Sequence, residues 1–518
     1  MRDDARGAMK VSAGRGEMGA GDQSDYGPTW YSGVTPLPAP RMPLSYDLDV
    51  DVCVVGGGLA GITVAREVAR RGWSVAVVEA RRIAWAASGR NSGFVMPGFS
   101  AHIEKIVERI GLPATKALWE LSQAGVQYVR DTIREINIAG IQEGKGWLDV
   151  SKKPDANRAL AQIRLLGEEM GVAVEGWPTE RVRDVLKTGR YFHASYFPDA
   201  FQINPLAYTQ GLADAAERAG AHIFENTPAT VVDPAGVRKR IETPNGRVRA
   251  GYVVLAGNIH LGSVAQQLAD TLIPITVFTG VTQPFGMRLA EAVSFHGAVS
   301  DSHHANFHYR VVGGDRLLWT GSASAWTRNL KWMRQRLERA LCATYPQLGR
   351  VKFERFWPAE MGIAVHSMPQ IGEVQPGVWL ASAFGRQGIN TSAIAGDLIA
   401  RALVQGDDTW RCFLPFELVW AGGRVGRTVA RATTWWWHQS EAVTSAAAQR
   451  REALRRERQR AKAGFAKTTH RPAYREVTAV KRAPQGPLTT GEFDRPIGAP
   501  EATAATALEP TGAPLPLE

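Results

Sequence analysis

Residues 51–79 read DVCVVGGGLAGITVAREVARRGWSVAVVE, and this stretch decides the fold. Residues 51–55 are a short β-branched run stopped by glycines, the pattern of a buried parallel strand. Gly56, Gly58 and Gly61 follow as G-x-G-x-x-G, with Leu59 and Ala60 ahead of the third glycine. The spacing predicts a helix over 62–71, ended by Gly72, and a second strand over 74–78 that closes on Glu79. In such a unit the first glycine makes a tight turn, the second admits a pyrophosphate to the backbone, and the third lets helix and strand approach. The helix N-terminus favours that negative charge through its N–H groups and its dipole. Glu79 stands where an acid accepts hydrogen bonds from ribose hydroxyls. Strand, glycines, helix, second strand and acid fall in register, so the unit reads as a Rossmann-type dinucleotide site. NAD and FAD are both compatible with this much.

After Ala80 and Arg81 comes Trp85-Ala-Ala-Ser88-Gly89-Arg90-Asn91-Ser92-Gly93. This run resembles the segment after the second strand in FAD-dependent amine and amino-acid oxidoreductases of the D-amino-acid oxidase (glycine oxidase-like) superfamily. Within it, the A-S-G-R-N-S-G pattern is similar to that of γ-glutamylputrescine oxidoreductase-like proteins. The resemblance implies FAD as cofactor, with Ala80, Arg81, Ser88, Arg90, Asn91 and Ser92 around it. A small, polar loop is chemically suited to this, because it can lie against a flat ring and donate hydrogen bonds to it.

With 518 residues, the chain calls for two domains plus appendages. Its 44% hydrophobic and 21% charged content is that of a globular protein. Three cysteines without a C-x-x-C pair point to a reducing compartment and no structural zinc. No apolar run is long enough for a membrane-spanning helix, and the N-terminus lacks a signal-like apolar core, so a cytoplasmic protein is expected. The net charge of +11 resides in residues 424–482, where fifteen Lys/Arg face four acids.

The expected fold class is α/β, with α+β character in the second domain: a Rossmann-type FAD-binding domain and a discontinuous antiparallel-sheet substrate domain. The arm 1–45 is read as mostly disordered, although Trp30-Tyr31 resembles a lead-in that packs on the body. Residues 46–104, 200–262 and 356–410 are assigned to the FAD domain, and 105–199 with 263–355 to the substrate domain. Helical periodicity marks 101–135, while 145–199 look strand-poor. A helix over 206–219 and strands over 221–224 and 247–255 follow, and the resemblance places Ala229 and Gly257 at the cofactor. A strand over 378–383, the loop Phe384-Gly385-Arg386-Gln387-Gly388 and a helix over 391–404 form a second strand–glycine–helix unit. In the family its N-terminus points at the flavin, which assigns Gly385, Gln387, Gly388 and Ile389 to the cofactor. A helix N-terminus there stabilises the negative charge of the reduced ring.

The flavin carries the redox chemistry, so no nucleophile or metal is required, and no catalytic side chain is assigned. His303-His304, with His308 nearby, is set aside as a metal site, since adjacent strand residues point to opposite faces and no acid or Cys has ligand spacing. Oxidases of small α-amino acids carry an arginine shortly before a P-x-I-G turn, where it grips the substrate carboxylate. Here Met361 or its neighbours hold that place, before Pro369-Gln-Ile-Gly372. An amine substrate is therefore expected, with Glu360 balancing a cationic nitrogen, and with Arg310 and Tyr309 in family-like substrate positions. Sarcosine oxidases place an oxygen-activating lysine near 317–319, where this chain has Leu317-Leu318-Trp319, so oxygen and another acceptor both stay open. No cysteine lies near Trp357, where those enzymes attach flavin, so FAD is expected to be non-covalent.

The expected activity is hydride removal from a carbon next to nitrogen, giving an imine that water hydrolyses. The leading substrate class is a γ-glutamylputrescine-like or other secondary amine. An amino or opine-like acid clamped by Arg310 is the first alternative, and a membrane- or partner-docked protein with structural FAD is the second. Residues 411–463 read as a helical appendage, with Trp435-Trp436-Trp437 and a basic run over 450–462. Peripheral membrane contact through 424–462 competes there with packing on the body. No reader motif for nucleic acid occurs, and 464–518 read as a disordered tail.

Overall fold

The computed structural model describes residues 26–138, 140–141, 144–301, 307–322 and 329–423. In its first sheet, strand Leu48–Val55 lies between Val75–Val78 and Arg247–Leu255, parallel to both. His222–Phe224 and Val378–Ser382 extend the sheet in parallel, and Gln370–Gln375 closes one edge antiparallel. Central parallel strands are covered on both faces, which explains their unbroken apolar runs: residues 52–55 and 75–78 are all buried. Helices Leu59–Arg70, Pro205–Arg218 and Gly388–Gln405 pack on this sheet. Asn204 caps the second of them through the N–H groups of Leu206 and Ala207. The elements expected over 62–71, 74–78, 206–219, 221–224, 247–255, 378–383 and 391–404 all appear within a few residues of those bounds.

The second sheet runs Phe353–Ala364, Leu272–Thr282, Arg316–Ser322, Phe307–Val312, Ala298–Asp301, Gly144–Val150, Ala194–Gln202 and Phe94–Val95. It is antiparallel except where Ala298–Asp301 and Gly144–Val150 pair in parallel. Tyr309, Trp319 and Phe353 fill the core on one face, where helix Leu330–Thr344 contributes Met333, Leu337 and Leu341. The helical period over 101–135 becomes helix Ile103–Ile136, which bends where Gly111 adopts φ 78°.

Three expectations change. The stretch 145–199, read as strand-poor, carries Gly144–Val150, Glu175–Trp177 and most of Ala194–Gln202. Gly146, Gly176 and Pro198 interrupt the alternation there, and cross-strand stacking of Trp147 on Phe197, at 4.6 Å, joins the strands instead. Strands of the second sheet also run past the expected boundaries at 199 and 355, to Gln202 and Ala364. Of the arm assigned to 1–45, the described residues from Tyr26 onward pack on the body. Tyr26 Oη donates to Ile83 O at 3.0 Å, Thr29 caps the short helix Trp30–Val34, and Tyr31 meets Trp357 edge-on at 5.9 Å. Buried aromatic anchors outweigh the glycine and proline content of this segment.

Residues 1–25, His303, His304, and the basic and tail segments from 424 onward lie outside the described residues, as do the membrane-contact and tail readings made on them. Leu414, Leu418, Val419 and Trp420, just before that point, have exposed side chains. Among the described residues no helix is long and apolar enough to cross a membrane.

Candidate active site

The turn after Leu48–Val55 gives each glycine a separate task. Gly56 adopts φ 116°, and a Cβ there would lie 2.9 Å from the backbone of Ala256 and Gly257. A Cβ on Gly61 would lie 2.1 Å from Gly56 O, so Gly61 secures the helix against the turn. It does not line the cleft, which corrects its expected cofactor contact. Gly58 begins the helix without a side-chain cap, and the N–H of Leu59 donates to Ser88 Oγ at 2.9 Å. Glu79 Oε2 accepts from Gly57 N at 2.6 Å and its Oε1 from Arg81 N at 2.8 Å. Burial raises the pKa of Glu79, partly offset by these two N–H groups.

Gly56, Gly58, Ala60, Glu79, Ala80 and Arg81 line a cleft of about 250 Å³, which Ala229 and Gly257 help to close. The cleft shares Leu59, Ala87, Ser88, Asn258, Phe384 and Ser392 with a second cavity of about 330 Å³. Ser88, Arg90, Asn91 and Ser92 reach this cavity from the loop, and Gly385, Gln387, Gly388 and Ile389 from the start of helix Gly388–Gln405. The loop is braced by its own side chains. Arg90 donates to Trp85 O and Tyr26 O, and Asn91 Nδ2 to Ala87 O and Ser88 O. Ser92 Oγ bonds Thr320 Oγ1 at 2.8 Å and Trp357 Nε1 donates to Arg90 O at 3.0 Å, tying the loop to the second sheet.

The second sheet supplies the remaining wall through one cross-strand row: Asp149, Ser300, His308, Thr320, Thr279 and Trp357 are directly opposite one another in sequence across six strands. Directly paired residues share a face, and the first five line the cavity. Met361 and Ala359 line it too, from Phe353–Ala364. Aromatic walls come from Phe94, Trp119, Trp147 and Phe197.

The residues expected at the substrate, Tyr309, Arg310 and Glu360, do not line this cavity. Tyr309, one residue from His308, turns to the core, where it stacks on Trp319 at 4.5 Å and its hydroxyl meets Tyr345 Oη at 2.6 Å. Arg310 is buried away from the cavity, donating to Ile203 O at 2.8 Å and Tyr31 Oη at 3.4 Å, so it braces the N-terminal arm. Glu360, between Ala359 and Met361, points to the opposite face and lines the dinucleotide cleft beside His260. Burial lowers the pKa of His260, and Glu360 works against that shift.

Two cavity groups escaped the sequence reading. Among the described residues, His308 included, no cluster could hold a metal ion. His308 Nδ1 lies 2.7 Å from Ser300 Oγ, and burial, aided by the Arg386 charge, drops its pKa to about 3. It is neutral at physiological pH. Arg386 lies inside the glycine loop, where a single cation at the start of a helix is the available sequence signal. It lines the cavity as an exposed residue, and partial desolvation lowers its pKa. Asp149 and Glu104 add acidic groups to the same wall.

The cleft fits a dinucleotide. It has a glycine floor, an acid at its end, and the buried Asn258 Oδ1, which has no hydrogen-bond partner among the described residues and belongs to a residue bordering both spaces. An α/β unit of this kind, joined to a cavity under an antiparallel sheet, defines a dinucleotide-dependent oxidoreductase. The DAO family, described as FAD dependent oxidoreductase, matches residues 51–402, and the chain belongs to that family, with FAD as its cofactor. γ-Glutamylputrescine oxidoreductase of Escherichia coli (strain K12) is 29% identical over 375 residues, covering 71% of this chain and 87% of that protein. Glycine oxidase of Bacillus subtilis (strain 168) is 24% identical over 219 residues, 42% of this chain and 56% of that one. The crystal structure of glycine oxidase from Geobacillus kaustophilus superposes with a TM-score of 0.60 at 19% identity, covering 72% of this chain and 99% of that chain.

Proposed function

We propose that this FAD-dependent oxidoreductase oxidises the C–N bond of an amine larger than glycine, γ-glutamylputrescine-like or another secondary amine. The observation that carries this reading is the wall around Met361. Ile275, Val277, Ala359 and Met361 form an apolar surface there, in the region where oxidases of small amino acids carry their carboxylate-binding arginine. The aromatic walls from Phe94, Trp119, Trp147 and Phe197 suit a long aliphatic amine. The relatedness to γ-glutamylputrescine oxidoreductase supports the same class. Bound FAD supplies the two-electron acceptor for the C–H bond next to nitrogen. The chain's own residues position the substrate and exclude water, and His308, neutral, does not add charge to the site. None of the three cysteines lines the cleft or the cavity, which supports non-covalent FAD.

Arg386 favours a second reading, an amino or opine-like acid held by its carboxylate from this side of the cavity. Product analysis separates the two. Aldehyde formed from γ-glutamylputrescine or a secondary amine supports the first reading; 2-oxo acid formed from amino acids alone supports the second.

A further inference from the structure

We infer that His308 and Arg386 together form a two-donor subsite for a carboxylate on the substrate, and that His308 is a specificity-determining residue. This rests on reading the cavity as the substrate site.

The argument starts from Ser300, whose side chain is buried. Trp147 Nε1–H donates to Ser300 Oγ at 2.9 Å, and an indole nitrogen cannot accept in return. Among the described residues, His308 Nδ1, 2.7 Å away, is the acceptor in reach of the serine's own hydrogen. A buried hydroxyl hydrogen without an acceptor is costly, so Ser300 donates to Nδ1. A neutral imidazole then carries its proton on Nε2. His308 therefore offers the cavity an N–H donor, in one tautomer, and cannot serve there as a base.

Arg386 lies close enough for its charge to act on His308, and both line the same cavity. Among the described residues no carboxylate, carbonyl or hydroxyl accepts from its guanidinium. A planar guanidinium and an imidazole N–H on the walls of one cavity suit one kind of ligand, an oxyanion with two acceptor atoms. Asp149, opposite Ser300 in register, is already engaged with another partner and faces the same cavity one strand further along. An anion at His308 and a cationic nitrogen elsewhere in the cavity satisfy both signs. The substrate would then be an amine that also bears a carboxylate, recognised by residues other than the arginine missing at Met361.

The test is calorimetric binding of glutarate and of uncharged glutaramide, matched in shape, to the FAD-loaded full chain. Wild type should prefer glutarate by about tenfold or more, as charge-assisted hydrogen bonds do. Arg386→Met should abolish the preference; His308→Phe should reduce it several-fold and His308→Gln, which keeps a donor, should restore part of it. Equal binding of the two probes by wild type, or a preference that survives Arg386→Met, overturns the subsite. Carboxylate-free amines that bleach the flavin as readily as their carboxylated counterparts also remove it while leaving amine oxidation intact. A glutarate preference in a protein whose flavin no amine reduces would support the subsite and sink the proposed function.

Discussion

Glu79 Oε2 accepts a 2.6 Å hydrogen bond from Gly57 N–H, so the acid that ends the second strand is clamped to the glycine turn that ends the first. The clamp holds a carboxylate at the mouth of the dinucleotide cleft before any ligand arrives. Glu79→Gln keeps the shape but turns one acceptor oxygen into a donor, facing either Gly57 N–H or Arg81 N–H. FAD affinity should fall by about tenfold or more with circular dichroism unchanged, read by titrating the apoprotein with FAD.

The two glycines Gly61 and Gly72 should respond differently to alanine. A Cβ at Gly61 meets Gly56 O at 2.1 Å, a backbone atom that cannot move aside, whereas Gly72 has nothing within 4 Å and only a φ of 84° to object. Gly72→Ala should cost about 1 kcal/mol, and Gly61→Ala about 1–3 kcal/mol together with weaker FAD binding. Urea denaturation of the two variants checks the order.

Glu225 is fully buried and accepts from Arg82 Nε at 2.8 Å, Ile83 N at 2.7 Å and Arg41 N at 2.8 Å. It joins the N-terminal arm, the loop after Glu79 and strand His222–Phe224 at one point. Glu225→Ala removes the buried carboxylate that pairs with Arg82 and accepts from two backbone N–H groups, and should destabilise the protein by about 3–5 kcal/mol in equilibrium denaturation.

His308 sets a pH dependence of stability. Its pKa falls from the ordinary 6.5 to about 3 on folding, because burial and then Arg386 disfavour the cation. The unfolded chain therefore binds the extra proton first, and stability is lost as pH falls from 6.5 toward 3. Arg386, Arg90, Asp149 and Glu104 are the charged groups lining the same cavity, and His102 is a further titratable one. In thermal melts across this window, wild type should lose stability relative to His308→Gln as pH drops; parallel curves would contradict the assignment.

Much of the fold was legible because local pattern and tertiary role coincide in the nucleotide unit. Buried parallel strands require apolar runs, and Gly56 and Gly61 sit where a side chain cannot, so 51–79 announces itself. The second sheet was harder. Its strands are interrupted by Gly146, Gly176 and Pro198, and pairing partners hundreds of residues apart supply what local alternation lacks. Most residues expected at the cofactor line the cleft or the cavity, for the same reason as the turn: backbone approach demands glycine. The sheet wall of the cavity was less legible, because one residue of strand register decides which side chain faces it. That step exchanged Tyr309 for His308 and Glu360 for Met361, and no sequence pattern distinguished the members of either pair.

The central claim, amine oxidation by an FAD enzyme, is tested most directly by anaerobic bleaching of the flavin in the purified full chain. Substrates are γ-glutamylputrescine, simple secondary amines and small amino acids, followed by absorbance. Loss of the oxidised flavin band with γ-glutamylated or secondary amines, and weak or no loss with glycine, is the predicted result. A protein that takes up no FAD, or a flavin bleached by small amino acids alone, would contradict the account.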